Sequence, residues 1–311
     1  MSNSNKLIVS VSPHIYSSEN SARIMWAVIL SLLPAGVAGI VIFGLTSLRV
    51  ILVSMVCAVL TEALIQKLRK VEITVFDGSA ALSGLLLSFC LPPTVPLWLV
   101  ACGSVFAIAI GKQAFGGLGQ NIFNPALVGR AFLLAAWPTQ MTTWVKPGQA
   151  FDAVTGATPL ASAFEGTSYW DLLIGNRGGC IGEVCIITLL AGALFLLMSG
   201  YISWHIPFSF IATVGIFTWI FGAEALFGGE WLFHILSGGL ILGAFFMATD
   251  YVTSPLTNKG RLIFGFGCGL FTVIIRLWGG HPEGVCYAIL LMNAATPLID
   301  RYTKPRRFGV K

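Results

Sequence analysis

The sequence predicts an all-α polytopic membrane protein with about ten transmembrane helices, arranged as two inverted five-helix repeats that contain broken helices. Three observations support this prediction. Of the 311 residues, 56% are hydrophobic and 10% are charged, with a mean hydropathy of +0.85, whereas soluble domains have about 25% charged residues. Apolar runs long enough to cross a bilayer recur along the chain. Two short motifs recur in the same order in both halves.

Ten apolar runs are the predicted spans. They lie near residues 23–44, 46–66, 77–91, 95–111, 119–136, 182–199, 204–222, 231–249, 260–278 and 281–299. The third run is short and ends at Pro92, Pro93 and Pro96. The fifth contains Asn121, Asn124 and Pro125, which interrupt it. We therefore expect both of these runs to be broken or re-entrant elements rather than ordinary spans.

A polar, Gly-rich segment at 138–181 separates five predicted spans from five. The predicted organisation is a cytoplasmic N-terminus at 1–22, a first repeat at 23–137, this extracytoplasmic segment, a second repeat at 182–300, and a basic tail at 301–311. No cleavable signal peptide is evident, because the first 21 residues are polar and the first apolar run is long enough to span.

The distribution of basic residues predicts the orientation. With ten spans, thirteen of the 18 Lys and Arg residues lie on the side of the termini. Four lie on the other side, namely Arg49, Lys146, Arg177 and Arg276, and Arg130 lies inside the fifth run. Cytoplasmic loops have the excess of Lys and Arg, so both termini are predicted to be cytoplasmic. The net charge of +5 follows from this rule and needs no nucleic-acid partner, and the basic tail is expected to face anionic lipid.

The internal repeat is indicated by two pairs of short matches. Leu82-Ser83-Gly84 is repeated at residues 236–238, and an aromatic residue followed by Gly-Gly occurs at residues 115–117 and 278–280. Each match alone is as consistent with chance as with a repeat, and their common order favours the repeat. Five spans separate the copies, an odd number, so the halves would have opposite topology, as in many transporters.

Seven cysteines are scattered singly, without a Cys-x-x-Cys motif or a cluster with histidine. We interpret them as small buried hydrophobic residues and predict no metal site and no catalytic side chain in this chain.

The densest polar cluster within the apolar chain is residues 111–126, a glycine-rich loop that includes Lys112, Asn121 and Asn124. It lacks the Gly-Lys-Ser/Thr of a phosphate-binding loop. Asn124 followed by Pro125 predicts the N-cap and first position of a helix. A helix N-terminus buried in the membrane would suit an electron-rich polar ligand. The alternative is that Asn121 and Asn124 only cap the broken helix.

A second cluster, residues 151–160, lies in the extracytoplasmic segment and presents the hydroxyl of Thr158. Gly156 removes side-chain bulk nearby, and Pro159 disfavours helix at Thr158. Local chemistry alone predicts only a turn, because no neighbouring base would make this threonine a nucleophile.

Residues 152–158, Asp-Ala-Val-Thr-Gly-Ala-Thr, resemble the flavinylation signature Asp-x-x-Ser/Thr-Gly-Ala-Thr. In that signature a flavin transferase links the phosphate of FMN to the final threonine. Two further stretches, Phe-Asp-Gly-Ser-Ala-Ala-Leu-Ser-Gly from Phe76 and Gly-Gly-Leu-Gly-Gln-Asn-Ile-Phe-Asn-Pro-Ala from Gly116, are similar to the same family. The chain resembles, over nearly its full length, the family of RnfD, from Rnf ion-translocating electron transport complexes, and NqrB, from sodium-pumping NADH:quinone reductases. The short N-terminus favours the Rnf branch.

The resemblance implies a membrane flavoprotein subunit of a prokaryotic cell-membrane translocase that couples electron transfer between ferredoxin and NAD to movement of Na⁺ or H⁺. Thr158 would hold FMN as a phosphoester, and Asp152, Thr155, Gly156 and Ala157 would complete its signature. This FMN would receive electrons from a partner flavoprotein on the outer side and pass them inward, with no stand-alone catalysis by the chain.

The resemblance also implies a second, non-covalent flavin, riboflavin, at Asn121 and Asn124. Lys112, in the same polar cluster, and Arg130, inside the fifth run, are further cofactor-binding candidates from their positions in the sequence. The implied partners are the other Rnf proteins, RnfA, RnfB, RnfC, RnfE and RnfG, especially the flavinylated RnfG. A flavin transferase for maturation and membrane lipid complete the implied partners.

Charged residues within or beside spans are candidates for function, because an unpaired charge in hydrocarbon is costly. They are Glu62, Asp77, Arg130, Glu224, Asp250 and Asp300. We expect Glu62, Glu224 and Asp300 to be solvated at span ends, and Asp250 could cap a helix. Arg130, well inside a run, would either pair with a carboxylate or help to hold a flavin.

Two other functions remain open from the sequence. One is a non-redox transporter or channel with the same inverted repeats, since fold does not determine function. The other is a scaffold protein whose flavinylation motif is vestigial. Detection of flavin on Thr158 would distinguish the redox function from the transporter and from the scaffold.

Overall fold

A computed structural model describes residues 20–145, 168–175, 177–223, 226–279 and 283–305. In those ranges thirteen α-helices follow one another: α1 Ser21–Phe43, α2 Leu45–Arg69, α3 Ser79–Phe89, α4 Leu97–Ala109, α5 Pro125–Ala136, α6 Pro138–Met141, α7 Tyr169–Ile174, α8 Ile186–Met198, α9 His205–Phe221, α10 Trp231–Leu236, α11 Leu240–Leu242, α12 Asn258–Trp278 and α13 Val285–Thr303. Short 3₁₀-helices at Val75–Asp77 and Gln113–Phe115 and a π-helix at Gly243–Met247 complete the set. The predicted all-helical class is confirmed.

Four helical segments in the described part of the chain are long and apolar enough to cross a membrane: Ser21–Phe43, Leu45–Arg69, Leu97–Phe115 and Asn258–Trp278. Shorter apolar helices stand at Ser79–Phe89, Pro125–Ala136, Ile186–Met198 and His205–Phe221. These lengths agree with a multi-pass membrane protein, since about 20 apolar residues are needed for a full crossing.

The helices pack in the same order in the two halves. In the first half α2 packs against α3 and α4, and α4 packs against α5. In the second half α9 packs against α10 and α12, and α12 packs against α13. Contacts of α1 with α8, and of α5 with α13, join the halves. Most of their buried apolar side chains form one continuous core, and Ala58, Ala80 and Ile108 form a small separate cluster.

Helices α3 and α5 are short, as the prolines and the Asn-Pro pair predicted. Helix α3 has 11 residues and stops at Cys90, two residues before Pro92. The backbone beyond its end is paired with the buried segment that precedes α8. Ile181 N donates to Leu91 O at 3.1 Å, and Gly182 N donates to Phe89 O at 3.1 Å. Irregular backbone inside a membrane protein is tolerated because such partners satisfy it.

The eighth predicted run is also broken, a feature that we did not predict from the sequence. Helix α10 ends at Leu236, Ser237 is extended, and Gly238 has φ of 66°, a conformation that favours glycine. Arg276 of α12 donates to His234 O at 2.6 Å and to Ser237 O at 3.1 Å. The guanidinium therefore supplies the donors that the last carbonyls of a helix lack.

Arg177 and Arg276, which the charge distribution assigns to the side opposite the termini, both donate to backbone carbonyls of this chain. Arg276 lies within α12, bonded to the end of α10. Arg177 is buried, 6% exposed, and donates to Glu183 O at 3.1 Å. Both guanidiniums are drawn inward because broken helices leave backbone carbonyls that need donors.

Candidate functional site

The main cavity of the described structure lies between the N-terminal parts of α1, α3 and α5 and the chain from Phe245 to Val252. It contains about 730 Å³ of empty space, including its open mouth. Cofactor sites are typically clefts with apolar walls and a few polar groups. Apolar lining comes from Met25, Leu86 and Phe246 among others, and polar lining includes Ser79 and Ser83. We call this cavity the flavin-sized pocket, after the cofactor that the family resemblance implies for Asn121 and Asn124.

Asn121 and Asn124 both line this pocket, as predicted for a shared site. Asn124 is the N-cap of α5, where its Oδ1 accepts from Ala126 N at 3.0 Å. Its Nδ2 donates to Met247 O at 3.3 Å across the two halves of the chain. Asn121 Nδ2 donates to Phe123 O at 3.1 Å. Capping and pocket lining are therefore combined in Asn124.

The glycine-rich loop before α5 has the backbone that its sequence suggests. Gly116, Gly117 and Gly119 have φ of 124°, 107° and 90°. Residues other than glycine rarely adopt such angles. The loop turns back toward α3 through them and places Leu118 and Asn121 on the pocket wall.

Lys112, the third predicted binding residue, also lines the pocket. Its ammonium is bonded to Glu62, which is not a lining residue. Lys112 Nζ lies 2.6 Å from Glu62 Oε1, 2.9 Å from Glu62 Oε2 and 2.5 Å from Ser79 Oγ. Lys112 and Glu62 are each 1% exposed. Gln113 Nε2 donates to Glu62 Oε1 at 2.9 Å, and Ser79 Oγ donates to Asp77 Oδ1 at 2.6 Å. The expectation that Glu62 is solvated at a span end is therefore wrong.

Arg130 does not line the flavin-sized pocket. It forms an ion pair with Glu283, next to the N-terminus of α13. A smaller cavity adjoins this pair, lined also by Cys90 and Cys286. The sequence left two roles open for Arg130, pairing with a carboxylate or holding a flavin, and in the structure Arg130 pairs with a carboxylate.

The other charges have mostly structural partners. Asp300 Oδ1 accepts from Leu256 N at 3.1 Å, and Asp250 accepts from Thr253 Oγ1 at 3.3 Å. Asp250 also lines the flavin-sized pocket, a location that the sequence did not indicate. Glu224 lies outside the described residues.

Ligand atoms of Cys180, Glu183 and Glu283 lie within 4.8 Å of one another, a grouping that the scattered cysteines did not predict. A metal ion there would compete with Arg130 for Glu283. Arg177 is also buried beside Glu183, to whose backbone oxygen it donates. These positive charges disfavour a further cation, so we assign the grouping no role in metal binding.

The flavinylation signature lies outside the described residues, and with it Asp152, Thr155, Gly156, Ala157 and Thr158. The described chain reaches Val145 before this segment and resumes at Ser168. Val145 O lies 3.5 Å from where a Cβ on Gly178 would stand. The residue at which the described chain stops is thus packed against the buried stretch that precedes α8.

Several pocket residues were not predicted from the sequence, notably Tyr201, Phe245 and Thr249 of the second half. The sequence contains little indication of these residues, because aromatic and hydroxyl residues are common in apolar runs. Ser79 and Ser83, in contrast, lie in the stretch from Phe76 that helped to carry the family resemblance.

Comparison with known proteins gives a consistent result over the whole chain. A profile of the NQR2, RnfD, RnfE family matches residues 8–309. The chain is 51% identical to the D subunit of the proton-translocating ferredoxin:NAD(+) oxidoreductase complex of Clostridium ljungdahlii, over 99% of this chain and 97% of the relative. It is 52% identical to the D subunit of the Na(+)-translocating ferredoxin:NAD(+) oxidoreductase complex of Acetobacterium woodii, over 98% and 96%.

A more distant relative is the D subunit of the ion-translocating oxidoreductase complex of Escherichia coli, 39% identical over 97% of this chain and 98% of the relative. These matches, together with the Asn124-Pro125 helix start and the glycine loop that precedes it, agree with the resemblance inferred from the motifs. The chain therefore belongs to the NQR2, RnfD, RnfE family, as a translocase subunit of the RnfD type.

Proposed function

We propose that this chain is the flavin-bearing subunit that relays electrons through the membrane part of a complex coupling ferredoxin and NAD to translocation of Na⁺ or H⁺. The observation that carries the proposal is the flavin-sized pocket, which lies where the predicted site residues Lys112, Asn121 and Asn124 meet. Close relatives are named as subunits of complexes with this overall reaction, one with H⁺ and one with Na⁺.

The first proposed cofactor is FMN joined through its phosphate to Thr158. Support comes from the complete signature at 152–158. A flavin supplies electron transfer, while the protein sets its position and surroundings. A covalent phosphoester would retain the cofactor at this segment whatever the concentration of free FMN.

The second proposed cofactor is a non-covalent flavin, riboflavin, in the flavin-sized pocket. The pocket's apolar walls suit an isoalloxazine ring, and the amides of Asn121 and Asn124 offer hydrogen-bonding groups. Met25, Leu86 and Phe246 would exclude water from the ring. Arg130 has no part in this site, because it is paired with Glu283.

We also propose the finer architecture: about ten spans in two inverted repeats, with both termini in the cytoplasm of a prokaryotic cell and the 138–181 segment outside. The parallel packing order of α2–α5 and α9–α13 supports the repeat. The breaks in α3 and at Ser237 occur within the matching Leu-Ser-Gly motifs or shortly after them. Reporter fusions at the C-terminus and at Gly166 would test the orientation, with cytoplasmic activity at Gly166 contradicting it.

The relatives' names place them in multi-subunit complexes. We propose the corresponding partners here, RnfA, RnfB, RnfC, RnfE and RnfG, with RnfG exchanging electrons with the FMN on Thr158. A flavin transferase would act during maturation. Exposed apolar side chains such as Val41, Leu60 and Phe208 would contact lipid or these partners.

The deciding experiment is in-gel flavin fluorescence of the denatured, purified chain after co-expression with a flavin transferase. Native protein and the Thr167→Ala control should fluoresce, and Thr158→Ala should not. Thr167 lies in the same segment outside the signature, so it controls for general damage. A non-fluorescent native chain would favour a transporter or a scaffold instead.

The pocket assignment has a separate test. The double change Asn121→Leu and Asn124→Leu should release the non-covalent flavin and leave the covalent FMN in place. Because Asn124 also caps α5, the unfolding transition of the double variant is measured as well, so that loss of the flavin is separated from loss of the helix cap. Retention of both flavins in the double variant would exclude this pocket as the site.

A further inference from the structure

In the ion pair of Lys112 and Glu62, the lysine lies at the flavin-sized pocket and the glutamate lies farther from it. Lys112 lines the pocket, whereas Glu62, on α2, is not among its lining residues. Both residues are 1% exposed, so water screens the pair little. Ser79, whose hydroxyl lies 2.5 Å from the ammonium, also lines the cavity, so the positive end of the buried pair lies nearer to the cavity than the negative end.

The rest of the network keeps this direction fixed. Both carboxylate oxygens of Glu62 and the hydroxyl of Ser79 hold the ammonium, which uses all three of its donors. Gln113 donates a further hydrogen bond to Glu62. Lys112 therefore acts on a pocket ligand as a fixed charge rather than as a direct hydrogen-bond donor in this arrangement.

Two helix starts add positive potential on the same pocket, since Ile24 in the first turn of α1 and the Asn124 cap of α5 line it. The start of α3 at Ser79 adds little, because the Asp77 carboxylate accepts from Ser79 N at 2.8 Å and offsets its charge. Helix N-termini have about half a positive charge each. Asp250 is the opposing carboxylate on the wall. On balance the wall favours a ligand that becomes more negative.

We propose that Lys112 is a positioning residue that raises the reduction potential of the flavin in this pocket, and that Glu62 holds Lys112 in place. Reduction adds an electron to the ligand, and the electron comes from the complex's own donor. The field of Lys112 stabilises the added charge, and no bond to the protein forms or breaks. This inference rests on the proposed function, specifically on the non-covalent flavin.

The test is a spectroelectrochemical titration of the purified full-length chain, in which the covalent FMN and the non-covalent flavin report separately and no flavin of a partner subunit contributes. The main variant combines Lys112→Met with Glu62→Gln, so that no unpaired charge remains buried. We expect the non-covalent flavin to become at least tenfold harder to reduce, a shift of about 59 mV or more for a one-electron couple. The covalent FMN should keep its potential and acts as an internal reference.

Two matched variants sharpen the result. Lys112→Arg keeps the charge and should retain most of the native potential. Lys67→Met removes an exposed lysine from α2, the helix that also holds Glu62, and should change neither flavin. If the main variant matches Lys67→Met, the inference is overturned.

If the main variant loses its non-covalent flavin during purification, the inference is tested by measuring how tightly added riboflavin binds. The ratio of the dissociation constants of added oxidised and reduced riboflavin should change at least tenfold relative to native protein, and an unchanged ratio overturns the inference. Absence of any non-covalent flavin from the native chain would instead refute the proposed second cofactor. The two failures are therefore distinguishable.

Discussion

Breaking the buried pair of Lys112 and Glu62 should destabilise the fold severely. In Glu62→Gln the ammonium faces an uncharged amide, which offers one acceptor oxygen in place of the two carboxylate oxygens at 2.6 and 2.9 Å, and it keeps Ser79. At 1% exposure, water cannot replace the lost charge. Leaving one member of a buried pair unpaired costs about 3–5 kcal/mol, so the free energy of unfolding should fall by about that much.

The paired variant gives the sharper measurement. Combining Glu62→Gln with Lys112→Met removes both charges, and such replacements are often nearly neutral. A double-mutant cycle should therefore give a coupling energy of at least about 3 kcal/mol. The assay is SDS titration in mixed micelles, followed by tryptophan fluorescence, with Lys67→Met as the exposed control. Single variants within about 1 kcal/mol of native protein would show that the pair is solvated, and would refute this reasoning.

Two further predictions concern packing and the broken helix, and the same unfolding assay checks both. Gly39→Ala should destabilise by about 1–3 kcal/mol, because its Cβ would stand 2.7 Å from Ile181 O. Gly36→Ala, one turn earlier in α1, meets its nearest atoms at 3.4 Å and should be neutral or stabilising; equal effects at the two glycines would contradict the packing. Arg276→Met should cost at least about 1.5 kcal/mol, because it removes charged donors from two carbonyls. The exposed Arg301→Met should have little effect, and equal losses would show that Arg276 does not cap α10.

Features set by neighbouring residues were predictable from the sequence. Pro92 and Pro93 end α3 because proline cannot donate to the preceding turn. Asn124 and Pro125 start α5 because side-chain capping and a fixed φ are local properties. Asn121 and Asn124 were chosen as site residues because of the family motif. The structure shows that Asn124 is also the N-cap of α5.

Features that depend on distant pairs were not predictable. Glu62 and Lys112 are fifty residues apart, and nothing near either of them indicates the partner. The break at Ser237 has no proline, and its Leu-Ser-Gly sequence is helical in α3. The difference lies in the tertiary context, since Arg276 can serve the carbonyls that the break frees. Single-sequence patterns do not contain that information.

The backbone pairing between the end of α3 and residues 181–182 has a consequence for biosynthesis. Helix α3, with 11 residues, is about 16 Å long at 1.5 Å per residue, about half of a 30 Å hydrocarbon core. It cannot cross the bilayer as an independent segment, and the donor for Leu91 O is Ile181 N, ninety residues later. At about 5–20 residues per second the ribosome needs roughly 5–18 s to reach it. Leu91 O therefore lacks this donor until residues 181–182 have been synthesised, so the end of α3 can reach its final pairing only after the whole first half has been made.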